Sequence, residues 1–262
     1  MKRRRFFSQT AIALVLLLTI CQCGGPKVEN LVIDPEFKDR PLENCTFLIG
    51  GVTSIVSEDK SHDISTAAGA GYLRDRLGED LPGVNTIPAT MVIDMMGQED
   101  YWRFLENYKS TLNVSDEDLL KLHGPLTANP GPAYLVMVRI ENYERWQTKS
   151  EARDSTGALT NKYRRAHRKI VAKFNLWDIK SQKPVWSGQL GYVATATNDY
   201  PQSDVNWSDE LGLLGSLIDI VEEGAAIDEE KTYVYPEMPD FWWASNRLFH
   251  NFAEALRKSA RR

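Results

Sequence analysis

Hydrophobic and polar residues alternate with a period of two through the stretch Arg165–Thr197. Ile170, Ala172, Phe174 and Leu176 alternate with Val171, Lys173 and Asn175, which places the first four on one face of a pleated strand. Asp178-Ile179-Lys180-Ser181-Gln182-Lys183-Pro184 then breaks the pattern, and Val185-Trp186-Ser187-Gly188-Gln189-Leu190 restarts it. Trp186, Leu190, Tyr192 and Ala194 line the same face of the returning strand, so this stretch predicts a long central hairpin over about 165–197. Around it, Thr46 to Val52 and Tyr134 to Ile140 are short apolar runs of the kind buried on both faces of a sheet. Val84 to Met95 predicts a further strand, interrupted by Pro88 and hence near an edge. Beyond Tyr143 and Trp146 the pattern fades into an expected polar loop ending near Thr160.

Helical spacing appears between these runs. Ala70, Leu73, Leu77 and Leu81 recur after a Ser65 cap and stop at Pro82-Gly83, while Tyr101, Leu105, Tyr108 and Leu112 share a second helix face. Ser115-Asp116-Glu117-Asp118 opens a short helix carrying Leu119 and Leu122, with Gly124-Pro125 as its expected stop. Past Pro236 and Pro239, Phe241, Ser245, Leu248, Phe249, Phe252 and Leu256 form one face of a closing amphipathic helix. Strands interleaved with helices in this order predict an α/β fold, with a mixed β-sheet, helices packed on it and the C-terminal helix closing it. The expected domain is 44–262, with an acidic helical insertion at about 199–232 in which Ser208 caps Leu211, Leu214, Ile218 and Val221.

The amino terminus follows a different rule. Lys2 and Arg3 to Arg5 precede the apolar run Ala11–Ile20, which is too short to span a bilayer and is followed by Cys21, Cys23, Gly24, Gly25 and Pro26. This resembles a bacterial lipoprotein signal peptide, in which the cysteine after the apolar run is lipidated. Leu18 lies three residues before Cys21 but bulky Ile20 adjoins it; Ile20 lies three before Cys23, with Gln22 adjoining. The resemblance implies a signal peptide over 1–22, a palmitate-bearing anchor on Cys23 or Cys21, and a Pro- and charge-rich tether over 23–43. If Cys23 takes the lipid, Cys45 is left as a lone buried thiol; if Cys21 does, a Cys23–Cys45 disulfide is available in an oxidising compartment. Loss of the four leading basic residues takes the formal charge from −5 to −9, which disfavours nucleic acid as a partner.

Candidate chemistry is sparse. His62, His123, His167 and His250 are scattered without metal-ligand spacing, and no GxSxG elbow occurs. Gly69 and Gly71 lack the lysine of a phosphate loop, and Ser57-Glu58-Asp59-Lys60 has no Lys-Thr-Gly partner motif downstream. No cofactor or metal is expected. The strongest charge feature is Lys162, Arg164, Arg165, Arg168 and Lys169, just before the central hairpin, read either as a solvated strand edge or as a patch for an anionic partner.

Phe47-Leu48-Ile49-Gly50, Ala133 to Ile140, and Phe174-Asn175-Leu176-Trp177-Asp178 with Pro184-Val185-Trp186-Ser187-Gly188 resemble the periplasmic lipoproteins of anticodon-binding-domain-like fold. That group includes the curli-secretion channel lipoprotein, the activator lipoproteins of penicillin-binding proteins and the TolB amino-terminal domain. The resemblance covers about 44–197 and the final helix, and it carries over no functional residue. It implies a non-enzymatic lipoprotein of the bacterial envelope, anchored at the periplasmic face of the outer membrane, acting by protein–protein contact in envelope assembly or secretion. The alternative is a module that binds or processes glycan, with peptidoglycan as its ligand. A barrel-forming channel is not expected, because Thr148–Lys162 and Asp199–Lys231 do not show the alternation that membrane strands need.

Overall fold

In the computed structural model, which describes residues 26–38, 40–56, 66–126, 131–201 and 234–260, six strands form one mixed sheet. They are β1 (Glu29–Ile33), β2 (Thr46–Ser54), β3 (Asn85–Ile87), β4 (Ala133–Arg153), β5 (Leu159–Asp178) and β6 (Lys183–Pro201), in the order β1-β6-β5-β4-β2-β3. The helices are α1 (Pro35–Lys38), α2 (Thr66–Asp80), α3 (Ala89–Met96), α4 (Gln98–Thr111), α5 (Asp116–Leu126) and α6 (Phe241–Ala260). β2 runs parallel to β3 and β4, and the remaining pairs are antiparallel.

The pleat divides the apolar residues between two cores. Phe47, Ile49, Tyr134, Val136, Phe174, Leu176 and Trp186 face α2 and α6. Leu48, Leu135, Met137 and Trp177 face α3, α4 and α5 on the other side. The sheet is therefore covered on both faces, which is why β2 and the first half of β4 are uninterrupted apolar runs. Asn175 donates to the Tyr108 hydroxyl at 3.0 Å inside the second core, tying β5 to α4.

The C-terminal helix packs as its stripe predicts. Phe252 stacks on Phe174 at 4.4 Å between ring centroids and meets Trp186 edge-on at 5.3 Å. The Trp186 indole N–H donates to Ser259 Oγ at 3.1 Å, so the ring's one polar atom is satisfied where it is buried. Gly188 completes this joint. A Cβ there would lie 2.8 Å from the Trp186 ring and 2.5 Å from Val28, so only glycine lets the indole lie over the strand.

Several elements depart from the pattern in the sequence. The expected tether over 23–43 contains β1, paired with β6 through Val32↔Ser187 and Ile33↔Trp186, and α1, whose Phe37 is buried edge-on against Tyr134 at 5.4 Å. A five-residue edge strand is too short to show periodicity, and only Ile33 escapes full exposure. The strand expected over Val84–Met95 ends after three residues: Pro88 adopts φ −70°, ψ 158°, caps α3 and hands the chain to a helix. The helix expected to stop at Gly124-Pro125 continues through Leu126. The central turn spans Ile179–Gln182 rather than seven residues, with Gln182 at φ 55°.

The largest departure is the polar loop expected before Thr160. It is a strand: β4 continues to Arg153, turns through 154–158 and returns as β5, paired from Tyr143↔Ile170 to Ala152↔Asn161. A bulge at Glu141, between Ile140↔Ala172 and Asn142↔Val171, shifts the side-chain phase of β4 by one residue. Even-numbered residues face α6 before the bulge and odd-numbered ones after it, so that Tyr143 stays in the same core as Ile140. The leader, Ser57–Lys60, the Ser65 cap and the proposed helix after Ser208 lie outside the described residues.

Phe252 is in contact with both strands of the central hairpin. Phe252→Ala is expected to lower unfolding free energy by about 3–5 kcal/mol, the range for truncating a fully buried phenylalanine. Urea denaturation checks this; a loss under about 1 kcal/mol would mean that α6 is not part of the folding unit.

Candidate functional site

Pairing to β2 ends at Ser54↔Ile140 and pairing to β1 ends at Glu29↔Gln189. Beyond these points β4, β5 and β6 pair only with one another among the described residues. The ten residues Glu144–Arg153 therefore project as one strand of a three-stranded ribbon, roughly 33 Å long at 3.3–3.4 Å per residue.

Registers assign its two faces. On the face shared with α6 lie the rows Arg145/Arg168/Ala194, Gln147/Ala166/Ala196 and Lys149/Arg164/Asn198. On the other lie Glu144/Lys169/Val193, Trp146/His167/Thr195 and Thr148/Arg165/Thr197. The five-residue basic patch is thereby divided. Lys162, Arg164 and Arg168 fall on the first face, and Arg165 and Lys169 on the second.

Two of the arginines are packed into the structure. Arg168 is only 6% exposed, with its guanidinium 5.5 Å from the Tyr143 ring centre and 5.9 Å from that of Phe241. Arg164 is 7% exposed, 5.9 Å from the Tyr235 ring, and donates weakly to the Tyr163 carbonyl at 3.4 Å. These contacts fix the root of the ribbon to the segment entering α6 by cation–π attraction and burial of the arginine stems. On the second face Arg165 lies 5.1 Å over Tyr163 and Lys169 pairs with Glu144 at 3.6 Å. Of the patch, Arg164 and Arg168 are thereby withdrawn from solvent, while Lys162, Arg165 and Lys169 are half-buried.

The second face carries a cluster that charge reading misses. Trp146 stacks on His167 with centroids 4.9 Å apart and planes 18° from parallel. Both ring nitrogens of His167 are engaged by hydroxyls, Nε2 with Thr148 Oγ1 at 2.8 Å and Nδ1 with Thr195 Oγ1 at 2.9 Å. The three residues Trp146, His167 and Thr195 form one row across the strands, so the indole is held flat while its outer side faces solvent. The signal in the sequence was the period-two placement of Trp146 and Thr148, which becomes legible once β4 is known to be a strand.

At the opposite end of the sheet a cleft of about 780 Å³ lies beside the central turn, lined by Arg40, His123, Leu126, Pro132, Asp178 and Lys180. Two of its polar side chains, Asp178 and Arg40, are already committed. Asp178 Oδ2 accepts from Arg40 at 3.0 Å, and Oδ1 accepts from the backbone N–H groups of Lys180 and Ser181 at 2.9 and 3.0 Å. The Asp178 carboxylate thus closes the turn and pins the segment after α1. Tyr134 lies beneath; its hydroxyl adjoins the Arg40 guanidinium but makes no well-formed hydrogen bond among the described residues, and burial pushes it up to about 12. Burial likewise raises Cys45 to about 11, and its Sγ lies 3.5 Å from the Pro41 carbonyl.

No grouping of His, Cys, Asp and Glu suited to a metal occurs among the described residues. Among them, too, no helix is long and apolar enough to cross a membrane. Cys21, Cys23 and His62 lie outside them.

No family model and no curated protein sequence matches the chain. Solved structures do. A PelC dodecamer of Paraburkholderia phytofirmans is similar over 90% of this chain and 99% of its own, at 12% identity and a TM-score of 0.32. The C-terminal domain of LpoB from Salmonella enterica covers 57% of this chain and 83% of its own, at 9% identity and a TM-score of 0.33. Lipoprotein GNA1162 of Neisseria meningitidis covers 69% and 96%, at 17% identity and a TM-score of 0.28. The structures similar to this chain thus include bacterial lipoproteins.

The raised Cys45 thiol gives a test of this end of the sheet. The neutral thiol is favoured by folding, so its contribution to stability is whole below about pH 9 and is lost as pH rises through about 11. In the native protein Cys45 is expected to resist a thiol reagent at pH 8 and to react within minutes once urea unfolds the chain. Fast labelling of Cys45 in the native state would show that the segment from Arg40 to Cys45 is not closed over it.

Proposed function

We propose that this chain is a lipid-anchored protein of the bacterial envelope that acts without catalysis, by presenting the β4–β5–β6 ribbon to a protein partner in envelope assembly or secretion. The anchor is Cys23 or Cys21, and neither is followed by Asp, which favours the periplasmic face of the outer membrane by analogy with known sorting behaviour. The observation that carries the proposal is the ribbon itself. Its ten-residue extension buries little of β4 beyond Tyr143, so the core does not require it. Its base is fixed by Arg168 between Tyr143 and Phe241, which makes it a stiff projection rather than a loop. Strands that cost ordering entropy without gaining burial are retained for what they touch.

A second reading rests on Trp146. A flat indole held by a stacked imidazole, with threonine hydroxyls beside it, also suits the apolar face of a sugar ring, and peptidoglycan is the glycan available in that compartment.

Two measurements check these readings. Labelled palmitate is expected in the wild-type protein and not after both Cys21 and Cys23 are replaced; a soluble, unlipidated wild-type protein would remove the anchor. A photo-crosslinker at Trp146 or Thr197 in intact cells is expected to capture an envelope protein that the same probe at exposed Trp102 on α4 does not. Equal capture from all three sites would sink the assignment of the ribbon. If purified sacculi instead retain the protein, and Trp146→Ala lowers that retention tenfold or more, the glycan reading replaces the first.

A further inference from the structure

Beyond Ile140, where β2 leaves it, the outer edge of β4 pairs with no strand among the described residues. Arg145, Trp146, Gln147, Thr148 and Lys149 are all exposed, residues of both faces alike. In β5, which is central, buried residues alternate with half-buried ones over the same rows. An exposed edge of this length is a template for another strand, and proteins that keep one in solution must control what pairs with it.

The charges along β4 exert that control in a specific way. Two copies of the edge meeting antiparallel about a two-fold axis place residue i opposite residue j of the same face. Centred on Thr148, the strands from Arg145 to Glu151 put Arg145 opposite Glu151, and by symmetry Glu151 opposite Arg145. Gln147 then faces Lys149, and Trp146 faces Ser150. Moving the centre by one residue toward Gln147 opposes Arg145 to Lys149 at both ends. Moving it toward Lys149 opposes Arg145 to Arg153 twice and Lys149 to itself. Opposite charges directly across strands stabilise a pair and like charges destabilise it. The neighbouring registers are thus excluded by the same residues that favour this one.

We propose that a second copy of this chain docks on the β4 edge, antiparallel and centred on Thr148, joining two ribbons into one six-stranded sheet. The proposal goes beyond the function given above and does not depend on it, because a symmetric pairing of two β4 edges needs neither a lipid anchor nor an envelope partner. The Arg145–Glu151 pairs set the register, and the backbone between those two residues supplies the hydrogen bonds.

A cysteine at the two-fold axis tests this directly, since directly opposed Cβ atoms lie about 4.5–5.5 Å apart and within reach of a disulfide after small adjustment. In the purified full chain under a mild oxidant, Thr148→Cys is expected to convert most of the protein to a reducible dimer, while the parent chain with its native cysteines does not. Gln147→Cys, facing Lys149 and not itself, is expected to stay monomeric on the same gel. Glu151→Arg opposes positive charge to Arg145 at both ends and should reduce the Thr148→Cys crosslink at least tenfold. Adding Arg145→Glu to Glu151→Arg restores opposite charges and should restore the crosslink. Circular dichroism of each purified full chain guards against misfolding; Thr148 and Glu151 are exposed, and Thr148 loses one surface bond to His167. No crosslink in a folded Thr148→Cys chain overturns the proposal. So does an equal crosslink at Gln147→Cys, or one that Glu151→Arg leaves unchanged.

Discussion

The aromatic joint of Phe174, Phe252 and Trp186 is the contact on which the other parts depend. It brings one residue from each strand of the central hairpin against the closing helix, and its rings are almost wholly removed from water. Burial of one large side chain is worth roughly 1.5–3 kcal/mol, a large part of a typical domain stability of about 5–15 kcal/mol. The Trp186–Ser259 hydrogen bond makes the joint directional, because the indole N–H would be left unsatisfied in any other seating of the helix. Gly188 and Val28 then shape the outer side of the indole and bring β1 onto the edge.

From this joint the sheet extends toward two unlike ends. At the central turn Asp178 serves both its own hairpin and Arg40, so these two side chains are bound to one another beside the cleft. At the other end the strands outrun the helices. The arginines that begin this extension are used as packing material, stacked on Tyr143, Phe241 and Tyr235, and the face left to solvent is organised by stacking and hydroxyl bonds rather than by charge.

Much of the core half was legible in the sequence, and for one reason. The central hairpin, Tyr134–Ile140 and α6 each bury one side or both, so their apolar residues keep a strict period. The ribbon half of β4 has water on both faces, so Glu144-Arg145-Trp146-Gln147-Thr148-Lys149 has no apolar partner for its polar positions and reads as a loop. The same absence of contrast argued against alternation over Thr148–Lys162, which is nonetheless strand from 148 to 153 and again from Leu159. Pro88 interrupts an apolar run that resembles a strand, whereas its extended backbone starts a helix. The basic patch was legible as charge but not as geometry. The alternation that groups Ile170 with Ala172 also groups Arg168 with Arg164 and sets Arg165 and Lys169 apart, so its division follows from the pleat once β5 is extended back to Leu159.

The bulge at Glu141 sets a rule for how this chain can vary in length. One extra residue there lets β4 serve two environments with opposite parity, the helix-covered sheet below and the ribbon above. Removing Glu141 would close the bulge and keep every pair, whereas adding a residue between Ile140 and Tyr143, with the bulge kept at one residue, would leave the core pairing untouched and turn the ribbon half of β4 over. Trp146 and Thr148 would move to the side of Arg168, and Arg145 and Lys149 would take their place beside His167. Length changes are therefore harmless at the 154–158 turn and neutral in pairs along the ribbon, but a single insertion at this position is not. Related chains that keep the exposed indole beside the imidazole should share the spacing from Ile140 to Trp146 or be shorter there by the bulge residue alone, whatever the length of ribbon beyond it.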